Sequence, residues 1–210
     1  MAAFLGNLRN VVIAGFVLAL VVLFIHGQRS GWNNIDAETF VAFLIRWAHI
    51  ICGVMWIGLL WYFNFVATPT MPKIPDDLKP ALGRFITPAA LFWFRWGAMG
   101  TIVFGILLAG INRYLVQAYT LDFVDSNGAF TSTTYLVIGI GMWLGTIMWF
   151  NVWFLIWPNQ QKALNINNAH PDLTKDARGA AGKTAGMASR INTLLSIPML
   201  FCMVAASHLP

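Results

Sequence analysis

Apolar residues run in long blocks along this chain, and polar ones collect between the blocks. The first block, residues 11–25, ends at His26-Gly27-Gln28. The second covers residues 40–67 and is broken only by Arg46, His49 and Asn64. Three more fall at about 88–114, 135–157 and 191–207. With their flanks these blocks reach the roughly 20 residues that an α-helix needs to cross a bilayer. The pattern predicts an all-α fold, a polytopic membrane helix bundle of about five transmembrane helices in a single integral membrane domain, residues 1–210. A helix over residues 8–28 precedes a helical core over 40–210.

The intervening stretches predict connections. Residues 31–38 are polar. Pro69, Pro72, Pro75 and Pro80, with Lys73, Lys79 and Arg84, read as an extended, stiff connector. Residues 116–134 hold Asp122, Asp125 and a Ser126-Asn127-Gly128 turn and read as an acidic loop. Residues 159–190 are basic, and their Ala/Gly-rich second half is expected to lie along the membrane surface as a helix. Pro198 is placed to kink the last span.

Composition strengthens the membrane assignment. Of 210 residues, 58% are hydrophobic and 10% charged, with a mean hydropathy of +0.67. Soluble domains carry roughly 25% charged residues. The partner implied is the lipid bilayer. The net charge of +5 reflects topology and points to no nucleic acid. Arg9, the proline-rich connector and residues 159–190 share one side and hold most of the Lys and Arg. By the positive-inside rule the N-terminus is inside and the C-terminus outside. The expected localisation is a cell inner membrane, multi-pass. No small-x-small cleavage site follows residue 25, so the first block reads as a retained helix. Cys52 and Cys202 each lie in an apolar block, and no Cys-x-x-Cys-His occurs, so no c-type haem is expected.

Candidate chemistry centres on the second block. A histidine inside a membrane helix is costly and marks a functional-site expectation. Arg46 lies one turn before His49, and Gly53 and Trp56 lie one and two turns after it, on the same helical face. A b-type haem asks for such a set: a ring nitrogen for iron, room for the macrocycle and a cation for a propionate. His208 is the expected second metal ligand, and His26 could substitute for it. Copper is the runner-up, on His49, Cys52, Met55, Met199 and Met203. A magnesium held by one buried histidine is a third chemistry. Against all three stands a structural reading, in which His49 only bonds a neighbouring helix. The acids lie outside the apolar blocks, and no nucleophile–base set stands out. Hence the chain is either a redox protein or a cofactor-free accessory subunit of a larger membrane complex.

Four stretches carry a resemblance. Arg46-Trp47-Ala48-His49-Ile50-Ile51-Cys52-Gly53-Val54-Met55-Trp56-Ile57-Gly58 resembles the first helix of the membrane-bound urate oxidase (urate hydroxylase) N-terminal membrane-domain family. Trp93-Phe94-Arg95-Trp96 is similar to its Trp-Phe-Lys-Trp. Asn151-Val152-Trp153-Phe154-Leu155-Ile156-Trp157-Pro158-Asn159-Gln160-Gln161-Lys162 resembles its helix ending in Pro-Asn-Gln-Lys. Residues 192–200 and Ser207-His208-Leu209-Pro210 resemble its terminal segment. The His49 to Gly58 spacing has a looser likeness to haem-binding membrane protoporphyrinogen oxidases and to copper-resistance D-type domains. The resemblance implies an oxidoreductase or oxidoreductase subunit, a haem b protein that works with other membrane subunits or a separate electron carrier. That family continues into a cytochrome c domain with no counterpart here. Gly139 stands where the family carries a histidine, which weakens any transfer of urate oxidation.

Overall fold

The computed structural model describes residues 2–121 and 133–209, and among them there are helices and no strand. The turn at Ser126-Asn127-Gly128, Asp122, Asp125 and Pro210 lie outside the described residues. Five helical stretches are long and apolar enough to cross a membrane: Leu8–Ser30, Ala37–Lys73, Lys79–Ile111, Thr133–Leu164 and Lys175–His208. The chain divides into two compact units, Met1–Phe43 and Leu44–Pro210.

In the first unit a short turn of helix, Ala2–Leu5, precedes α1 (Leu8–Ser30). Asn7 caps α1, its side-chain oxygen accepting the Arg9 and Asn10 N–H groups at 3.0 and 3.4 Å. The helix stops at Gly31, whose φ of +79° is open to glycine at little steric cost. Large apolar side chains are exposed all round α1, as expected of a helix that meets lipid. The Trp32 indole folds back over Gly27, where no side chain would fit. Asp36 accepts the Thr39 N–H and hydroxyl, both at 2.8 Å. Those bonds, the backbone one foremost, hold its carboxyl below the usual carboxylate range.

The second unit is built from α2 (Ala37–Trp61, whose first turns belong to the other unit), α3 (Thr87–Ile111), the short α4 (Leu115–Thr120), α5 (Thr133–Phe150), α6 (Trp157–Leu164) and α7 (Lys175–His208). Its core is Trp56, Ile57 and Leu60 of α2, Leu91, Phe94 and Ala98 of α3, Met148 of α5, Val152 and Ile156 beyond it, and Ala188 and Met199 of α7. Polar side chains fasten the helices where water cannot. Asn151 donates to the Asn192 side-chain oxygen at 2.8 Å, and Asn192 donates to the Met148 carbonyl at 2.9 Å. Trp61 donates to Ser196 at 3.0 Å and Asn64 to Ser189 at 2.8 Å.

Three prolines leave the same mark. Tyr62–Ala67, Leu82–Ile86 and Asn151–Ile156 are wide π turns. Each closes on a hydrogen bond five residues back: Thr68 to Phe63, Thr87 to Leu82 and Trp157 to Val152. The next residue each time is a proline, Pro69, Pro88 or Pro158. Proline has no N–H to give and its ring collides with the carbonyl four residues back. A widened turn moves that carbonyl aside and lets the helix continue.

The helices thereby outrun the pattern read from sequence. The proline-rich stretch is not an extended connector. Helix persists through Thr68–Thr70 and Met71–Lys73 and resumes at Lys79–Ala81. Helix also passes through Pro158 to Leu164, and α4 occupies part of the expected acidic loop. The Ala/Gly-rich segment is not a separate surface helix: it is the first half of α7, continuous with the last span and running through Pro198. Ala181, Ala185, Ala188, Asn192, Ser196 and Met199 share one buried face. Small side chains along that stripe let α7 lie close against its neighbours.

Candidate functional site

His49 sits in mid-span on α2, half-buried, with its ring turned to α3. Its Nδ1 is 2.8 Å from the Thr101 carbonyl oxygen. A backbone carbonyl can only accept, so Nδ1 carries the proton and Nε2 is left with its lone pair. Nε2 makes no hydrogen bond among the described residues. The ring lies against Gly105, where an added Cβ would stand 3.0 Å from it. Thr101 also bonds back along α3, its hydroxyl donating to the Gly97 carbonyl at 2.7 Å.

The residues grouped with His49 divide between two surroundings. Gly53 faces Thr101, with 3.9 Å left between an added Cβ and the threonine methyl. Trp56 is 0% exposed, inside the core, and its indole N–H has no partner among the described residues. Arg46 is exposed and within electrostatic reach of Tyr114 beyond the end of α3: burial pushes the Tyr114 phenol up, and the Arg46 charge pulls it down. Tyr114 stacks on Tyr135 at 6.3 Å.

His208 closes α7, exposed, with Nδ1 2.9 Å from the Val204 carbonyl. Its Nε2 is likewise free of hydrogen bonds among the described residues. The two imidazoles are alike in anchorage: each holds Nδ1 against a backbone carbonyl. His26 belongs to the other unit, where Nε2 is 3.5 Å from the Ser30 hydroxyl.

The sulfur groups are not gathered. Cys52 packs on Gly100 and Met55 on Gly97, both of α3, whereas Cys202 and Met203 pack on Gly141 of α5. No cluster of three or more His, Cys, Asp or Glu side chains suited to a metal occurs among the described residues.

Several residues that matter here carry no signal of their own in the sequence. Thr101 acts through its backbone. Arg95, expected near a helix start and able to reach the surface, instead lays its guanidinium 3.7 Å from the Trp157 ring centre and 5.4 Å from that of Trp153. Its Nε and Nη1, and the indole N–H groups of Trp149 and Trp153, are buried without partners among the described residues. Gly139 is pressed against the Ala118 carbonyl. The short helix α4 thus fills the space into which a histidine at position 139 would extend.

No curated protein and no solved structure matches the chain. A family model does. It covers two of the four resembling stretches, those from Asn151 and from Asn192, and leaves His49 outside. Residues 126–210, about two-fifths of the chain, match the family described as Urate oxidase N-terminal.

Proposed function

We propose that this chain is a membrane haem b protein, an electron-transfer component of an inner membrane that works with a separate partner, and that His49 is its ligand. The observation that carries this reading is the anchored imidazole in mid-span. A metal-bound histidine commonly donates its other ring N–H to a carbonyl, which fixes the tautomer and aims the free nitrogen. His49 meets that requirement through Thr101. Haem b, when bound, supplies a one-electron carrier. The chain's own part is to orient Nε2 through the Thr101 carbonyl and to seat the ring against Gly105. Arg46, one turn nearer one membrane surface than His49, offers a cation for a propionate. His208, the histidine that closes α7, is the second ligand this reading carries. The similarity of residues 126–210 to a membrane oxidase family supports a redox setting. Gly139, closed off by α4, argues against transferring urate as the substrate.

A second reading rests on the α2–α3 contact. Gly97, Gly100 and Gly105 are filled by the Trp56 and Cys52 backbone, the Cys52 sulfur and the His49 ring. Such close packing is what a cofactor-free accessory subunit needs, with His49 a fastening alone.

A reduced-minus-oxidised spectrum of the purified protein, with a pyridine haemochrome assay, separates the two. The first reading expects a b-type signal that His49→Ala abolishes while the variant keeps its helical circular dichroism. A colourless protein, or a signal unchanged in His49→Ala, removes His49 from any haem site and leaves the accessory subunit.

A further inference from the structure

At the end of the second unit where α2 finishes, α3 starts, α6 finishes and α7 starts lies a groove of about 650 Å³. All three π turns open onto it, through Phe63 and Asn64, through Gly83, and through Ile156. Its deeper wall is apolar, with Leu91 and Phe94 of α3 beside Phe63 and Ile156. Its charged lining residues are Lys79, Lys183 and Arg190, and no acid is among them. Lys79 is paired with Asp76 at 2.6 Å. Lys183 and Arg190 make no ion pair or side-chain hydrogen bond among the described residues. They stand seven residues apart, two turns on one face of α7.

The depth of these cations follows from helix length. α7 has 34 residues, about 51 Å at 1.5 Å per residue. The hydrocarbon core is about 30 Å thick and takes about 20 residues. With the apolar half of α7 in that core, Lys183 and Arg190 fall at headgroup level and the apolar wall faces the acyl region. Between the two cations, Gly186 leaves the groove open, since an added Cβ there meets nothing within 4 Å.

We propose that this groove binds a membrane lipid with an anionic phosphate headgroup, the phosphate at Lys183 and Arg190 and an acyl chain along Phe63, Leu91, Phe94 and Ile156. Two unpaired cations at headgroup depth above a long apolar wall match that amphiphile in charge and in polarity. A free anion would find no use for the wall, and in a zwitterionic lipid the headgroup's own cation offsets the phosphate charge that Lys183 and Arg190 would meet. The assignment is independent of the His49 reading, because no candidate haem ligand lines the groove.

The test uses the full chain, delipidated in detergent and titrated by native mass spectrometry. The probes are phosphatidylglycerol, phosphatidylcholine with the same acyl chains, and inorganic phosphate. Phosphatidylglycerol is expected to bind at least tenfold tighter than phosphatidylcholine, with no competition from inorganic phosphate at equal concentration. Lys183→Gln and Arg190→Gln should each weaken phosphatidylglycerol about fivefold, the effect of one basic residue near an anionic surface, and weaken phosphatidylcholine by less, so that the preference between the two lipids narrows. Gly186→Leu, which projects into open space, should weaken both lipids while the lipid-free melting temperature stays put. Equal binding of the two lipids would overturn the proposal. So would displacement of phosphatidylglycerol by inorganic phosphate, or a lipid preference that survives all three substitutions.

Discussion

Asn192 is the residue on which the second unit's polar interior turns. It is 0% exposed, accepts from Asn151 and donates to the Met148 carbonyl. Replacing it with leucine keeps the branched shape, with methyl groups in place of the amide oxygen and nitrogen, and strands the Asn151 amide in an apolar place. Interhelical hydrogen bonds in membranes contribute about 0.6–1.7 kcal/mol each. Asn192→Leu is expected to destabilise the bundle by about 1–2 kcal/mol, read as a lower midpoint in denaturant unfolding from mixed micelles. An unchanged midpoint would show that Asn151 finds another acceptor. At this scale His49 was legible, because a lone imidazole in a bilayer-length apolar block stands out. Its partner was not, since the group it bonds is a backbone carbonyl that every residue has. Nor was the seat of Arg95, whose aromatic partners Trp153 and Trp157 lie about sixty residues along the chain.

Among the elements, α4 does more than its six residues suggest. It packs on α5 through Ala118 against Gly139, and Tyr119 reaches across to Thr146 at 2.9 Å and to Trp143, ring edge to ring face, at 5.4 Å. The Trp143 indole returns a bond to the Tyr119 carbonyl at 3.0 Å. A side chain at position 139 would drive α4 off. Gly139→Leu is therefore expected to raise tryptic cleavage after Arg113 several-fold, with the far-ultraviolet spectrum nearly unchanged. Protection equal to the parent's would mean that α4 is held from elsewhere. The five spans were legible as apolar blocks, but their ends were not. Pro69 and Pro158 look like stops in sequence and Pro88 like a start, and each is absorbed by a π turn. The Ala/Gly-rich half of α7 reads as weakly apolar because its buried side chains are small, although burial there is as complete as in the core.

Taken whole, the chain has one strongly basic end. Lys73, Lys79, Arg84, Lys162, Lys175, Arg178, Lys183 and Arg190 collect there, against Asp76, Asp77, Asp172 and Asp176. The positive-inside rule predicts a cytoplasmic position for that end. Single cysteines at Lys175 and at Asn112, in a Cys52→Ala, Cys202→Ala background, test it with an impermeant maleimide on intact cells. Labelling at position 112 and not at 175 is expected, and the reverse would invert the topology. The groove at the basic end was invisible in sequence, because its walls come from four separate stretches of chain. The π turns that open it carry one more consequence. Each is one residue of surplus inserted into a helix without disturbing the phase of either flank. Removing a residue elsewhere in a span rotates everything beyond it by about 100° and turns the buried face outward. Removing one residue from a π turn, with its proline replaced by a residue that has an N–H, restores an ordinary turn and leaves both flanks in register. These three places are where this bundle can change length without changing its faces. Descent by insertion and deletion is therefore most readily accommodated around the groove.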